Sequence, residues 1–486
     1  MTSLDGSLNR PANHRWTLPL AAVAAAGFFT LSWFLLNHGR LNADEGFYLL
    51  ASRVVRQGFR PYQDFGFTQP PLLAYADIPW LEVFGYTLGA QRLAGLAWTF
   101  VALGSGAIWL KRHHSLGTAA IFLVVLLGSP GWLAFCAKGK TYAFGGMWVL
   151  FGIMALVADG RIWLRWLVFL SAAGFAIGTR LPLAAFFVPA GIYLLIVTPG
   201  WKQRGCALGG TLLFAALELV WISAGSWDNF LFWTVQYHRL SAFDNSIQTR
   251  LIDSLRLAPG VWLLTTWATF LVVRARAWKL FFALFCCWTS FAVNLSTSAT
   301  YAEYLVPFIP AAVFVSVPII TRNAERMSRW LWAGLVLILL GSGWNLPPEY
   351  SKDILVHAKE AEAFLKDHVP RGSQVAASVP EVAVAAGLRV PLPMAMGKFG
   401  LTEDFTEGVA AKRLLLSPAT LLEIIQDRQT RAIVLSTFDN WNFRWSVPSY
   451  KKISDRSEEI MWSTIGLHYD LAYKNDYYVI LLRRTP

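Results

Sequence analysis

Charged residues are scarce in this chain of 486 residues. They make up 15% of it, while 55% of the residues are hydrophobic. About a quarter of the residues of a soluble protein are charged, so this composition excludes an ordinary soluble globular protein. Apolar stretches of roughly 20 residues, the length that crosses a bilayer core as a helix, recur over most of the first 345 positions. The sequence therefore predicts a polytopic α-helical membrane protein.

Cysteine is rare too, and its positions exclude the usual metal-site spacings. The four residues are Cys136, Cys206, Cys286 and Cys287, all in or beside apolar segments. The adjacent Cys286 and Cys287 are a poor pair for each other. We interpret all four as small buried hydrophobic side chains, and they indicate no redox compartment.

The apolar segments predict eleven membrane spans. The first lacks a small-residue cleavage site and is followed by polar sequence, so we predict a retained helix rather than a signal peptide. The sequence "TRLP", residues 179 to 182, breaks an apolar stretch that is too long for one span. The predicted spans are 16–36, 88–110, 118–136, 141–158, 163–179, 181–198, 206–224, 258–275, 279–295, 304–320 and 329–345.

The net charge of +12 comes from basic residues that cluster at span ends. This distribution follows the positive-inside rule if the N-terminus is cytoplasmic, and it argues against a nucleic-acid partner. With an odd number of spans, the C-terminus lies on the outer face. The ends predicted to be cytoplasmic carry Arg10, Arg15, Lys111, Arg112, Arg161, Arg165, Lys202, Arg204, Arg274, Arg276, Lys279, Arg322, Arg326 and Arg329.

Three pieces of chain are then predicted to face outward: the loops at about 37–88 and 225–258, and the tail. We predict a transmembrane catalytic domain at 1–346 and a soluble extracytoplasmic domain at 347–486. In the tail, "SQVAASV", "RAIVLST" and "YYVILLRR" are typical of buried strands, and "DILVHAKEAEAFLKDH" and "LLEIIQDR" of helices. These elements predict a small α/β domain. In a bacterium, the chain would lie in the inner membrane with a periplasmic tail.

An acidic pair, Asp44 and Glu45 in "DEGFY", stands at the mouth of the first span. It begins a predicted amphipathic helix, "ADEGFYLLASRVVRQG", and a second such stretch is "LLAYADIPWLEVFG". Carboxylates at a helix start are stabilised by the exposed backbone N–H groups. The pair is therefore either a helix cap or part of a substrate path, since polar groups beside several spans often mark one.

Three stretches, together with the predicted topology, resemble a known family. They are the "DE" pair, "GFRPYQD" and "QPPL". The chain resembles the GT-C glycosyltransferases, most of all family 39 and similar enzymes, a group that includes protein O-mannosyltransferases and the lipid A aminoarabinose transferase. The motif part spans residues 44 to 72, and the rest of the chain resembles the family only in outline.

The resemblance implies transfer of a sugar from a polyprenyl-phosphate-linked donor to an acceptor hydroxyl on the outer face, with inversion. It implies that Asp44 is the general base or orients the acceptor, and that Glu45 is its partner for orientation or pKa tuning. A carboxylate within hydrogen-bond reach makes a sugar hydroxyl a better nucleophile. Basic and tyrosine donors can stabilise the leaving phosphate.

By position, Arg239 and Tyr301 best match the family's phosphate-binding basic residue and tyrosine. Each candidate keeps a structural alternative: interfacial anchoring for the lysines and tyrosines, a solvated helix face for the loop residues, and ion pairing or snorkelling for Arg180. The aminoarabinose transferases carry a lysine where this chain has Gln69, which indicates a different phosphate site or specificity. The other substrate-binding candidates are Tyr48, Tyr62, Asp64, Lys138, Lys140, His238, Glu303 and Tyr304.

Two questions stay open from the sequence. The first is whether the chain is a transporter or flippase of lipid-linked sugars, although it shows none of the internal repeats that many transporters have. The second is whether Asp44, Glu45 and Asp64 ligate a divalent cation through oxygen; we expect no required cofactor. The acceptor is a glycan, a lipid or a protein, and the expected surroundings are membrane lipid.

Overall fold

Apolar helices dominate the first two thirds of the chain. The computed structural model describes residues 17–38, 43–223, 225–240, 246–296, 301–323, 353–437 and 453–484. Its helices in this part are α1 Thr17–Asn37, α2 Ala43–Arg56, α3 Leu72–Phe84, α4 Leu88–His113, α5 Leu116–Leu127, α6 Pro130–Cys136, α7 Thr141–Val157, α8 Ile162–Ile177, α9 Ala184–Val197, α10 Trp201–Ser223, α11 Trp227–Leu231, α12 Tyr237–Leu240, α13 Ile247–Leu257, α14 Pro259–Arg274, α15 Trp278–Ser296 and α16 Ile309–Asn323.

Several of these helices are long and apolar enough to cross a membrane. They are α4, α10, α15 and the stretch Ala302–Arg322. Two bent pairs, α5 with α6 and α13 with α14, are long and apolar enough when each pair is taken as one span. Helices α1, α7, α8 and α9, the last with its preceding turn, are apolar but shorter. Together they coincide with the predicted spans from 16–36 to 304–320. The last predicted span, 329–345, lies outside the described residues. Helix α10 exposes most of its apolar side chains, as expected of a helix that faces lipid.

One of the predicted spans is bent, and another begins at a bend. The span predicted at 118–136 bends by 80° between α5 and α6, and α14 meets α13 at 93°. Pro130 and Pro259 stand at the first position of the helix after each bend. Proline lacks an N–H group and has a helical φ, so it starts a helix more readily than it continues one. The predicted break at "TRLP" is confirmed, since α8 ends at Ile177 and a 3₁₀ turn at Leu181–Leu183 leads into α9.

The C-terminal region forms a small mixed sheet with helices. Its strands are β1 Gln374–Ala377, β2 Thr430–Ser436, β3 Tyr469–Lys474 and β4 Tyr478–Arg483, and its helices are α17 Ile354–His368, α18 Glu381–Ala385, α19 Glu407–Lys412, α20 Pro418–Gln426 and α21 Asp455–His468. The strand order is β1-β2-β4-β3, with β1 and β2 parallel and the other pairs antiparallel. The predicted α/β character is confirmed, while β3, α18, α19 and α21 are additional to the prediction.

The three pieces predicted to face outward contact one another. Trp233, in the π-helix Phe232–Gln236 of the second long connection, donates to the carbonyl of Arg413 at 2.8 Å. Tyr237 donates to the carbonyl of Phe399 at 2.5 Å. In the first long connection, Arg53 of α2 donates to the carbonyl of Val384. Both predicted amphipathic helices, α2 and α3, are present, and α2 lies between the helix bundle and the C-terminal region.

Candidate active site

The acidic pair divides into one exposed and one buried carboxylate. Asp44 and Glu45 lie in the first turn of α2, and neighbouring helical residues point about 100° apart. The Asp44 side chain is 35% exposed, whereas that of Glu45 is fully buried. The two carboxylates therefore meet different partners, and Asp44 is the one that a molecule from outside can reach.

Glu45 forms a buried two-point ion pair with Arg92 of α4. The Nε–Oε1 distance is 2.8 Å and the Nη2–Oε2 distance is 2.9 Å. The same carboxylate accepts the N–H of Gly139 at 3.2 Å, and Arg92 also donates to the carbonyl of Leu36 at 3.3 Å. Glu45 thus joins α2 to α4, to the end of α1 and to the loop that carries Lys140.

Asp44 is paired with Lys140, the residue before α7. The Lys140 Nζ lies 2.8 Å from Asp44 Oδ2 and 3.1 Å from Glu303 Oε1. Tyr142 donates to the same Glu303 oxygen at 2.6 Å. Burial lowers the pKa of Lys140, but the charges of Asp44 and Glu303 outweigh it and raise that pKa well above its usual value. A buried ammonium therefore bridges two carboxylates from distant parts of the chain.

Arg180 lies in the same cluster, between α8 and α9. Its guanidinium carbon is 3.7 Å from the centre of the Tyr304 ring and 5.2 Å from that of Tyr142. Its Nη1 donates to Thr141 Oγ1 at 3.3 Å. The side chain is buried, and its Nε has no hydrogen-bond partner among the described residues. A stacked guanidinium with an unused donor is suited to bind an anionic oxygen.

Tyr48 and His238 also face this cluster. Tyr48 lies one turn after Asp44, and burial, followed by the charge of Asp44, raises its pKa. His238 pairs through Nε2 with the carbonyl of Thr68 at 2.9 Å, and burial, with the charge of Arg180 nearby, lowers its pKa. Burial therefore favours the neutral form of His238. Arg239 follows it in α12, but its side chain lies outside the described part of the structure.

Tyr62, Asp64 and Gln69 shape the first long connection. Tyr62 has a positive φ of 68°, and its hydroxyl donates to the Gln69 carbonyl at 2.5 Å. Asp64 accepts the N–H of Arg60 at 2.7 Å within a turn. Asn229 reaches the Tyr62 carbonyl at 3.1 Å and so ties the two long connections together. Direct substrate binding by these residues stays a prediction.

Two further candidates lie at the edges of the cluster. The Tyr301 ring makes an edge contact with Tyr304, 5.8 Å between centres. The Lys138 ammonium lies 5.0 Å from the centre of the Phe135 ring. Burial lowers the pKa of Lys138, and the charge of Glu45 opposes that shift. Contact of either residue with a substrate stays a prediction.

The carboxylates of the site are engaged by other groups of the chain. Within the described residues, no group of three or more His, Cys, Asp or Glu side chains is placed to hold a metal ion. The space between the Asp44 and Glu303 carboxylates is taken by the Lys140 ammonium. Asp64 is engaged in its own turn.

Comparisons with known proteins place this geometry in a known fold. No family model and no curated protein sequence matches the chain. ArnT from Cupriavidus metallidurans bound to undecaprenyl phosphate matches with a TM-score of 0.65 and 13% identity, over 97% of this chain and 98% of ArnT. Apo ArnT gives 0.64 and 15%, over 96% and 97%. The chain has the GT-C fold.

A third solved structure is less similar to this chain. The Archaeoglobus fulgidus oligosaccharyltransferase in complex with Zn and sulfate has a TM-score of 0.47 and 11% identity, over 86% of this chain and 68% of that one. The whole-length match to ArnT is the one that establishes the GT-C fold.

Sequence reasoning missed two residues that bind carboxylates of the site and a third that packs beside it. Arg92 binds the buried carboxylate of Glu45, and Tyr142 binds the carboxylate of Glu303, whose side chain is 19% exposed. Glu381, from the C-terminal region, lies beside the first turn of α2. A signal for Arg92 was present, because an arginine inside a predicted span needs a partner or a cavity.

Proposed function

We propose that this chain is a membrane glycosyltransferase that moves a sugar from a polyprenyl-phosphate-linked donor to an acceptor hydroxyl, with inversion and with Asp44 as general base. The observation that carries the proposal is the cluster itself. It places one accessible carboxylate among buried cationic groups, at the loop end of a GT-C fold. The undecaprenyl phosphate bound to ArnT supports the class of donor.

The proposed step is a single displacement. The acceptor oxygen attacks the anomeric carbon while the bond between that carbon and the phosphate oxygen breaks. The electron pair leaves with the polyprenyl phosphate, and the hydroxyl proton passes to the Asp44 carboxylate. Such a base contributes about 10²–10⁴-fold to the rate when it is positioned within hydrogen-bond reach.

The surroundings of Asp44 suit this role. Lys140 holds one carboxylate oxygen, so the side chain is oriented and its negative charge is stabilised. With 35% of the side chain exposed, an acceptor can approach. The donor phosphate would bind to the Nε side of Arg180, with Lys140, Tyr304 and Tyr48 nearby, because hydrogen-bond donors preorganised in a buried site best stabilise developing charge.

We also propose that the reaction needs no divalent cation. The ammonium of Lys140 supplies positive charge at the place between two carboxylates where a cation would otherwise bind. The proposed orientation puts the cluster and the C-terminal region on the outer face of a bacterial inner membrane, where the basic residues at the opposite span ends follow the positive-inside rule.

Transfer is distinguished from transport by the fate of the donor bond. Purified protein in proteoliposomes, supplied with labelled polyprenyl-phosphate sugar and a candidate acceptor, is expected to release polyprenyl phosphate only when acceptor is present. We expect the same rate with EDTA. A change in the sidedness of intact donor, without bond cleavage, would instead establish a flippase. The first step is mass spectrometry of lipids that co-purify with the protein, which selects the donor to supply.

Arg180→Lys is expected to lower kcat/KM for transfer by about 10²-fold, because lysine keeps the charge but loses the planar stack on Tyr304 and the fixed donor geometry. Arg165→Lys is the matched control: Arg165 lies at the opposite end of α8 from Arg180 and donates to the carbonyls of Ala155 and Leu156. Donor titrations monitored by thermal stability report binding separately. Unchanged donor affinity and unchanged turnover in Arg180→Lys would remove Arg180 from the phosphate site.

A further inference from the structure

Glu381 is a buried acid that the proposed reaction does not use. It is the first residue of α18 and is 1% exposed. Among the described residues, its carboxyl group interacts with the buried hydroxyl of Tyr478, but no hydrogen bond of good geometry is made by either group. Burying a carboxyl group without such bonds is costly, so its presence calls for a physical reason.

The Glu381 side chain packs on Gly46, the residue directly after the acidic pair. A Cβ atom at position 46 would overlap the Glu381 carboxyl group, and it would lie 2.8 Å from Pro380 Cδ. Only glycine lets the C-terminal region approach α2 this closely. The glycine of "DEGFY" is therefore a contact point between the acidic pair and the C-terminal region.

Two further contacts hold the C-terminal region against α2. The Phe47 ring makes an edge contact with Phe399, 5.1 Å between centres. Arg53 donates to the carbonyl of Val384, at the other end of α18. The C-terminal region thus contacts α2 from its first turn to its last, so a displacement at this interface would move the helix that carries Asp44.

Charges facing Glu381 come from both neighbouring helices. Glu45 of α2 repels its ionised form, and Arg92 of α4 attracts it, while Tyr478 lies on the side of the sheet. Burial, rather than either charge, is the main reason that the pKa of Glu381 is raised to about 7. The charge of Glu381 therefore interacts with both members of the Glu45–Arg92 ion pair, which holds α2 in place.

We propose that Glu381 is a positioning residue, through which the C-terminal region fixes the Glu45–Arg92 pair and, by way of α2, the carboxylate of Asp44. This inference rests on the proposed transfer reaction. In its neutral form Glu381 packs against Gly46 without repelling Glu45. In its ionised form it is a second carboxylate competing for Arg92, and the interface loosens.

The expected pH dependence follows from the sign of the shift. An acid whose pKa is higher in the folded than in the unfolded protein stabilises the fold below its unfolded value of about 4.3, and that contribution is lost as the pH rises to its folded value. Within the folded protein the neutral form of Glu381 predominates at pH 6 and the ionised form at pH 8.5, so we expect the interface to be weaker at the higher pH. Activity should decline on the alkaline side, by up to roughly tenfold per pH unit above the folded pKa.

The test compares Glu381→Gln with Gly46→Ala and with Glu423→Gln, an exposed acid of α20, in full-length protein. Glutamine has nearly the same shape and cannot ionise. We expect Glu381→Gln to keep wild-type turnover at pH 6 and to lose the alkaline decline, which Glu423→Gln keeps. Gly46→Ala should lower turnover at least tenfold at both pH values. Identical pH profiles for wild type and Glu381→Gln would overturn the proposal.

Hydrogen exchange of the α2 amides is a second readout that needs no donor lipid. We expect faster exchange at pH 8.5 than at pH 6 in the wild type, after correction for intrinsic rates, and no such difference in Glu381→Gln. Equal behaviour of the two proteins would overturn the positioning role. If exchange follows this expectation while no protein transfers sugar, the proposed function fails and the interface role stands.

Discussion

Asp44→Asn is expected to lower sugar transfer by about 10²–10⁴-fold while the protein still folds and binds its donor lipid. The amide has nearly the same shape but cannot accept the acceptor's proton, and the loss corresponds to the contribution of a positioned base. Lys140 keeps its second carboxylate, Glu303 at 3.1 Å, so the cluster retains a charge partner. The measurement is single-turnover transfer with purified protein at saturating donor.

Glu82→Gln is the matched control for this variant. Glu82 belongs to the same long connection, but it is exposed and pairs with Arg56 at 3.2 Å, outside the cluster. We expect this control to transfer sugar at the wild-type rate. Near-normal turnover by Asp44→Asn would show that the acceptor is deprotonated elsewhere, for example by the leaving phosphate, and would reduce Asp44 to an ionic partner of Lys140.

The sequence could predict that the two acids stand in the first turn of a helix, as they do in α2, but not that their surroundings differ. Adjacent residues look equivalent in a sequence, and "DE" gives no sign of which carboxylate is buried. That depends on Arg92 and Gly139, which lie 47 and 94 positions away from Glu45. A pairing of this kind is a tertiary property, and sequence patterns over one helix do not contain it.

Elements were predicted where the local hydrophobic pattern is strong and missed where it is weak. Helices α2 and α3, the apolar spans and the strands β1, β2 and β4 have strong hydrophobic patterns, and all were expected. Strand β3, "YDLAYK", lies at the edge of the sheet and is largely exposed, so its composition resembles that of a loop. The bend inside the span predicted at 118–136 was missed because a hydrophobic window measures apolar length and not direction, although Pro130 marked the place. The other bend, at Pro259, lies where the span predicted at 258–275 begins.

Glu45→Ala is expected to destabilise the fold by about 3–5 kcal/mol, because it leaves the Arg92 guanidinium buried without its partner. The two side chains are 0% and 2% exposed, so water cannot replace the lost carboxylate. Thermal unfolding in detergent measures the effect. Asp159→Asn breaks the ion pair with Lys279, where Asp159 is 97% exposed, and should cost less than about 1 kcal/mol.

A double variant separates the contribution of the Glu45–Arg92 ion pair to stability from its contribution to transfer. Glu45→Leu with Arg92→Met removes both charges, and replacing a buried pair by apolar residues of similar volume is often close to neutral. We therefore expect the double variant to recover most of the stability lost in Glu45→Ala. It should not recover transfer, because Gly139 loses its acceptor and Lys140, the next residue, is no longer held against Asp44. A double variant that is stable and fully active would show that Glu45 and Arg92 serve the fold alone.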